Sequence, residues 1–528
     1  MKRNRLLKIL LGLAALLLLI NVLTTVLAGP WAGKKIISLL NEKSLIWTFE
    51  LRNAKVYLIP TRITLTGISM KPRMETEGNR YLNGEIRSVK IMGINLWKAL
   101  FKKEIDIREL SITGSRVSGK LPESKVSKKP LILPVNLRIG RLVVDRLDLA
   151  VESESSRQAL MIKDAGLKVL DLQGDKLDTV SPAIIKKFEF SANEIITVPP
   201  DSLYTNTVGR IDYSSEDGTL TVDRLSIHPN YSDEAFTKRH EFQSDRFDAA
   251  CMNITLRDFD APAFLAIRTL ACSRIEIKKL DLDVFRDKRK PFNHKVRPVF
   301  QDMIRNYKGV LDIDSILLDE GNITYREHAE ASNNQGSISF NELHAGIYKI
   351  TNNPALKSEN PVFQLKGEAR LMGKGKMTIL LKAGLFDPSR TFHLSGSLAA
   401  MDADALNPML ENSALIHVNS GRIDAMNFSL SANNTKSSGR MTLLYHGLEI
   451  AMINRKTDET TAFKERFMSF FANRKLLDSN PLPKDEVREG PIDFDRDPER
   501  FLFHYAFKSI LSGMKGSLVK ESRNTKNQ

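Results

Sequence analysis

One pattern of apolar positions recurs along the chain. Its eight positions read apolar, any residue, apolar, any two residues, apolar, any residue, apolar. The copies are unequally spaced, so the chain has no fixed repeat length. They are Val89, Ile91, Ile94 and Leu96; Ile105, Ile107, Leu110 and Ile112; Leu137, Ile139, Leu142 and Val144; Leu220, Val222, Leu225 and Ile227; Ile275, Ile277, Leu280 and Leu282; and Leu311, Ile313, Ile316 and Leu318.

This spacing predicts β-strands. Residues two apart lie on one face of a strand, and a step of three turns the next residue to the other face unless a bulge or corner restores the register. The β-branched residues favour strands, and turn-forming pairs such as Asn83-Gly84 and Asp217-Gly218 separate the segments. We therefore expect a mainly β fold, a long and mostly antiparallel sheet with few helices.

Three segments beyond the N-terminus are predicted to be helical, at 298–307, 462–477 and 499–519. The last two combine Phe with basic residues. Docking of their apolar side onto the sheet is the main interpretation, and a membrane-surface role is the alternative. Between them, 480–498 is rich in Pro and Asp and is predicted to be a linker within the C-terminal part, 461–520. The tail, 521–528, is predicted to be disordered.

The N-terminus predicts a membrane anchor. Residues 9–28 carry no charge and follow the basic segment 1–8, which contains Lys2, Arg3, Arg5 and Lys8. A run of this length can cross the hydrocarbon core as a helix, and the basic residues should stay cytoplasmic. The first helix can also run on into 34–41. The alternative is a signal peptide cleaved before Gly29. On either interpretation the bulk of the chain is exported.

Composition and net charge limit the classes of partner that the chain can bind. The chain has 528 residues, a formal net charge of +15 and a mean hydropathy of -0.23, as expected of a folded, water-facing protein. For an exported protein, this charge favours anionic lipid headgroups over nucleic acid. Cys251 and Cys272 lie in segments predicted to be neighbouring strands. The sequence is therefore compatible with one disulfide between them or with two free thiols.

No enzyme signature is present. The chain lacks His-Glu-x-x-His, G-x-S-x-G, the phosphate-binding G-x-x-x-x-G-K-[ST] pattern and cysteine pairs with zinc spacing. We therefore expect no catalytic residues, no metal and no cofactor. A hydrolase of the cell envelope is the most distant alternative.

Two stretches resemble AsmA-like proteins. The N-terminal run leads into FELRNAKVYLIPTRITLTGISMKP (49–72) and then IRSVKIMGINLWKALFKKEIDIRELSITGSRVSG (86–119), an order similar to the start of that family. Residues 392–453 resemble its C-terminal region: a G-S-L strand, a small helix near ALNPML, an S-G-x-I strand and a G-x-M-x-L strand. The resemblance covers both ends of the chain, and the middle by pattern alone.

The resemblance implies a fold and a place in the cell. It implies a twisted β-groove over 29–460, anchored in the inner membrane of a Gram-negative envelope and facing the periplasm. Related longer members are thought to carry phospholipid along an apolar trough. This chain is shorter than those members, so a role with a partner or a regulatory role is the alternative to a complete bridge between membranes.

The leading hypothesis is a β-groove that binds or conducts phospholipid in support of outer-membrane biogenesis. Many one-sided strands with few covering helices would expose a large apolar face unless something fills it. The alternative is a non-enzymatic assembly or regulatory scaffold that binds an envelope protein. The predicted groove lining consists of Ile105, Ile107, Leu110, Ile112, Leu137, Ile139, Leu142, Val144, Ile275, Ile277, Leu280, Leu282, Leu311, Ile313, Ile316 and Leu318.

Overall fold

The strand prediction is confirmed. The computed structural model describes residues 2–44, 47–73, 82–102, 104–121, 136–153, 158–174, 187–330, 332–453 and 477–519. These residues are mainly β, with 21 strands assigned to one mixed sheet. The predicted helix 462–477, apart from its last residue, and the tail 521–528 lie outside the described residues. The chain divides into two units, and strand β11 begins in the first and ends in the second.

The first unit contains residues 1–225 and 260–267. Its elements in chain order are α1 (Lys2–Lys43), β1 (Trp47–Leu58), β2 (Thr61–Pro72), β3 (Asn83–Ile94), α2 (Leu96–Phe101), β4 (Glu104–Leu121), β5 (Asn136–Ser153), β6 (Ala159–Gly174), β7 (Lys187–Ala192), β8 (Glu194–Val198), β9 (Tyr204–Val208), β10 (Ile211–Ser214), the first part of β11 (Thr219–Pro229) and α4 (Ala261–Ile267).

The second unit contains residues 226–259 and 268–528. Its elements are α3 (Asp233–Lys238), β12 (Asp245–Arg257), β13 (Leu270–Asp287), α5 (Phe300–Arg305), β14 (Leu311–His328), β15 (Gln335–Thr351), a 3₁₀ turn (Pro354–Leu356), β16 (Val362–Leu371), β17 (Gly375–Gly384), β18 (Phe392–Asp402), a second 3₁₀ turn (Ala403–Leu406), α6 (Asn407–Ser413), β19 (Ile416–Ala432), β20 (Lys436–Met452), β21 (Glu489–Asp495) and α7 (Leu502–Leu518).

Backbone irregularities explain the step of three in the apolar pattern. In β3 this step includes Gly93, whose φ is +70°. The β3–β4 pairing runs Met92 with Glu109 and then Ile94 with Ile107, so that Gly93 and Arg108 are passed over. A Cβ atom on Gly93 would lie 2.6 Å from the Cβ of Arg108, so only glycine fits here. The β3–β4 register is the same on both sides of this position, so the step of three passes through a local backbone distortion at Gly93 and not through a bulge.

Not every strand pair is antiparallel. Among the pairings that the structure describes, β4 with β5 and β13 with β14 are parallel, and the others are antiparallel. The sheet is therefore mixed. Parallel neighbours need a long connection, and in the chain α5 lies between β13 and β14.

The first helix extends past its apolar run, as predicted, and ends at Lys43. Gly29 and Gly33 approach Ala54 of β1 so closely that a Cβ on either would lie within 2.8 Å of it. The Asn41 side chain closes the junction, because its Nδ2 donates to the Phe49 carbonyl over 3.0 Å and its Oδ1 accepts from the Phe49 N–H over 2.7 Å.

A search of the described residues finds no helix with the length and apolar character of a membrane span. The side chains of residues 1–14, 17 and 25–27 lie outside the described part of the chain. The predicted anchor 9–28 thus falls partly on side chains that the structure does not describe.

The C-terminal predictions hold in part. Helices α5 and α7 confirm the predicted helices at 298–307 and 499–519. The predicted linker 480–498 is wrong at Glu489–Asp495, which forms β21 and pairs with β20. Ile492 is 2% exposed there, so burial outweighs the turn-forming residues. Helices α3 and α4 were not predicted.

Register separates the two cysteines. Cys251 on β12 faces Leu280 of β13, whereas Cys272 lies near the start of β13 beside Ile313 of β14. Eight residues along β13 separate Leu280 from Cys272, about 26 Å at strand spacing. Both cysteines are free thiols. Burial raises the pKa of both, that of Cys272 to about 11.

We expect both thiols to persist in air-oxidised protein, since their separation prevents a disulfide. Alkylation of the native protein should label Cys251 before Cys272, because the Cys272 side chain is more buried and its thiolate is scarcer at neutral pH. Mass spectrometry of the alkylated peptides measures both rates. A mass loss of two hydrogens across these cysteines would contradict the structure.

Candidate functional site

An apolar row crosses the first unit from strand to strand. Cross-strand partners share a face of the sheet, and the registers join one apolar residue from each of nine strands. Neighbouring strands are about 4.8 Å apart, so eight steps span about 38 Å. Its members are Ala54, Leu65, Val89, Ile112, Val144, Leu167, Phe190, Tyr213 and Leu220.

This row is closed at its first strands and open in its middle. Ala54 and Leu65 are each 6% exposed and pack with Ile36 of α1. Val89, Ile112 and Val144 remain partly exposed. Helix α1 therefore closes the row at β1 and β2, and the apolar side chains from β3 to β5 contact solvent in part.

A second apolar row crosses ten strands of the second unit. It runs from β12 to β21, and all its members but one glycine are Leu or Ile. They are Leu256, Ile275, Ile316, Ile347, Leu365, Leu381, Leu394, Leu430, Gly439 and Ile492.

Exposure changes along the second row. From β12 to β17 its side chains are partly exposed. At its far end Leu394 is 7%, Leu430 3% and Ile492 2% exposed. The row is thus an apolar strip with one closed end and one open stretch.

Helix α7 closes the end of the second row. Tyr505, 1% exposed, packs in the same core as Met441 and Ile492. The Ser509 and Ser437 hydroxyls lie 2.7 Å apart and tie the helix to β20. Helix and strand meet at glycines, since a Cβ on Gly490 would lie 1.8 Å from the Gly513 carbonyl oxygen.

The predicted lining residues form two groups, one in each unit. In the first unit, Ile105, Ile107, Leu110 and Ile112 of β4 pair in order with Leu137, Ile139, Leu142 and Val144 of β5. In the second, Ile275 pairs with Ile316 and Ile277 with Leu318. Leu280 and Leu282 face Gly321 and Ile323, while Leu311 and Ile313 face Leu270 and Cys272. The two sequence patterns therefore stand side by side in the first unit and are offset by half their length in the second.

The strand pairing adds residues to the second row that the sequence prediction missed. Ile347, Leu365, Leu381, Leu394 and Leu430 continue the second row beyond β14. Their strands show alternating apolar and polar residues, which was the available signal. Which residues stand in one row depends on cross-strand register, which one strand's sequence does not contain.

A trough of about 1040 Å³, lined by both apolar and polar residues, lies across β13 to β20 in the second unit. Its side chains flank the apolar positions: Glu276 and Lys278 on either side of Ile277, and Asn427 and Ser429 on either side of Phe428. Ile277 and Leu318 of the predicted set are also among its lining residues.

Charged side chains lie along one edge of this trough. The Lys278 ammonium lies 3.2 Å from the Asp319 carboxylate, and Arg274 lies 3.5 Å from Glu276. Lys366 lies 5.9 Å from the centre of the Tyr348 ring. The trough therefore combines charged groups with apolar residues.

A smaller polar pocket lies between α3 and the sheet. Arg326 contacts Asp233 and Asp283, each over 2.6 Å, and Arg246 lies 3.4 Å from Asp233. Burial raises the pKa of Asp233, but the Arg326 hydrogen bonds outweigh it and hold that pKa below its usual value. This network connects α3 to β12, β13 and β14. Across the described ranges, no group of three or more His, Cys, Asp or Glu side chains is placed to hold a metal ion.

One added methyl group at Gly490 should weaken the packing of α7 on the sheet. We expect Gly490→Ala to destabilise the protein by about 3 kcal/mol, because the new Cβ overlaps the Gly513 carbonyl. The measurement is the urea midpoint of the full chain. Gly209→Ala is the matched control, since its Cβ would meet its nearest atoms at 3.4 Å. Equal midpoints for both variants would contradict the close contact between α7 and β21.

Comparison with known proteins does not assign the chain to a family. No protein-family model matches the chain, and no curated protein matches it. The likeness to AsmA-like proteins therefore remains a resemblance of strand patterns.

Proposed function

We propose that this chain binds phospholipid by its acyl chains along the apolar face of its sheet. The observation that carries the proposal is the second row, where partly exposed Leu and Ile side chains continue in register from β12 to β17. An apolar strip left partly open to water favours an apolar ligand.

The open stretch is long enough to hold an acyl chain. Five steps between β12 and β17 span about 24 Å. One acyl chain occupies about half of the 30 Å hydrocarbon core, or about 15 Å. Each methylene removed from water contributes about 0.8 kcal/mol, so ten of them contribute about 8 kcal/mol before the ordering cost. The closed end at α7 would limit how far a chain extends along the row.

The cellular part of the proposal rests on the sequence. The uncharged run 9–28 would anchor the chain in the inner membrane, with residues 1–8 in the cytoplasm and the sheet in the periplasm. The protein would then support envelope biogenesis by binding or conducting phospholipid next to the membrane that holds it. Its role is non-enzymatic.

Two adjacent positions on β14 test the acyl contact. Ile316 belongs to the second row, whereas Leu317 is the next residue and lines the trough on β13 to β20. A photo-crosslinking amino acid placed in the full chain at Ile316 should form an adduct with phospholipid on illumination in membranes. The same group at Leu317 should form about tenfold less adduct, because it points to the other face of the strand.

Mass spectrometry of the adducts identifies what was bound. Phospholipid joined to position 316 but not to 317 supports the proposal. Equal lipid adducts at both positions would reflect bulk membrane and refute the proposed strip. A protein adduct at 316 would instead favour the scaffold alternative.

A further inference from the structure

Helix α7 has an outward side that the core leaves free. Its inward residues Tyr505, Ser509, Gly513 and Ser517 are buried at four-residue steps. Phe503 and Phe507 lie on the other side, 66% and 44% exposed. Their rings are 6.4 Å apart and nearly parallel, at 3°. Two large aromatic side chains thus stand together in solvent, where their exposure is unfavourable.

Basic groups lie beside this aromatic pair. Helix α7 contains no Asp or Glu, and His504, Lys508 and Lys515 lie along it. Within the described residues, Lys508 has no hydrogen-bond or ion-pair partner. Burial and the nearby Lys288 lower the pKa of Lys508. Burial and Lys508 lower that of His504 to about 4, and its Nδ1 is buried without a partner.

The charges next to the helix are paired. Arg500 lies just before α7, with its guanidinium 3.5 Å from the centre of the Phe292 ring and 3.6 Å from the Asp497 carboxylate, which neutralises it locally. Lys288 lies 2.5 Å from Glu327, which neutralises it in the same way. The positive charge that remains beside the aromatic pair is that of Lys508, and it complements an anionic surface.

We propose that Phe503, Phe507 and Lys508 form a docking surface for an anionic phospholipid bilayer. Aromatic and basic residues on the exposed side of a helix are typical of helices that lie in a membrane interface. The phenyl rings enter the boundary between headgroups and acyl chains, and Lys508 meets lipid phosphate. This surface is separate from the apolar row, so it provides a second membrane contact beyond the proposed lipid binding.

A vesicle-capture assay tests this surface in the full chain. The protein is reconstituted into phosphatidylcholine vesicles, which satisfies its apolar N-terminus, and capture of a second, fluorescent vesicle population is measured. Those vesicles contain phosphatidylcholine alone or phosphatidylcholine with phosphatidylglycerol. We expect capture of the anionic vesicles only, decreasing as salt screens the charges.

Matched variants assign the capture to α7. Phe503→Ser with Phe507→Ser should lower it about tenfold, and Lys508→Gln about fivefold. Leu265→Ser on α4 removes a side chain that is also 66% exposed, and Lys382→Gln removes an exposed lysine elsewhere; both should capture as wild type does. Circular dichroism confirms that each variant is folded.

Several results would overturn the proposal. These are unchanged capture by the Phe503/Phe507 variant, equal losses in the controls, equal capture of neutral vesicles, or release by inorganic phosphate at constant ionic strength. Capture that requires an added protein would also overturn it. Lipid crosslinking at Ile316, measured in the same variants, reports separately on the apolar row.

Discussion

Cross-strand register is the constraint on which the rest of this structure depends. A one-residue slip of any strand would turn its apolar residues to the polar face. In the second unit, nine successive pairings hold a row of Leu and Ile together. At Gly93 the β3–β4 pairing passes over one residue on each strand. The register is therefore the same before and after the step of three. The apolar face exists only because every pairing agrees.

A helix closes one end of the apolar row in each unit. At β1 and at β21 a helix packs so closely on the sheet that glycine is required, through Gly29 and Gly33 in α1 and through Gly490 and Gly513 at α7. Away from these ends, both rows contain partly exposed apolar side chains. Close helix packing thus leaves the apolar surface open at β3 to β5 in the first row and at β12 to β17 in the second, and there an apolar ligand would have room.

The two faces of the second unit differ in chemistry. Ile275 belongs to the second row, while the next residue, Glu276, lines the trough and pairs with Arg274. Alternation along each strand produces this contrast. The proposed ligand side and the solvated side therefore follow from one alternating sequence.

The sequence by itself determined the strands, the need for a backbone irregularity at the step of three, and helices α5 and α7, because these follow from local apolar spacing. It did not determine that β4 and β5 are parallel, that the quartets at Ile105 and Leu137 stand side by side, or that Glu489–Asp495 is a strand. These depend on contacts between residues far apart in the chain. Only the tertiary structure could place Gly490 under α7 and leave Phe503 outside, because burial is decided by what packs on each surface.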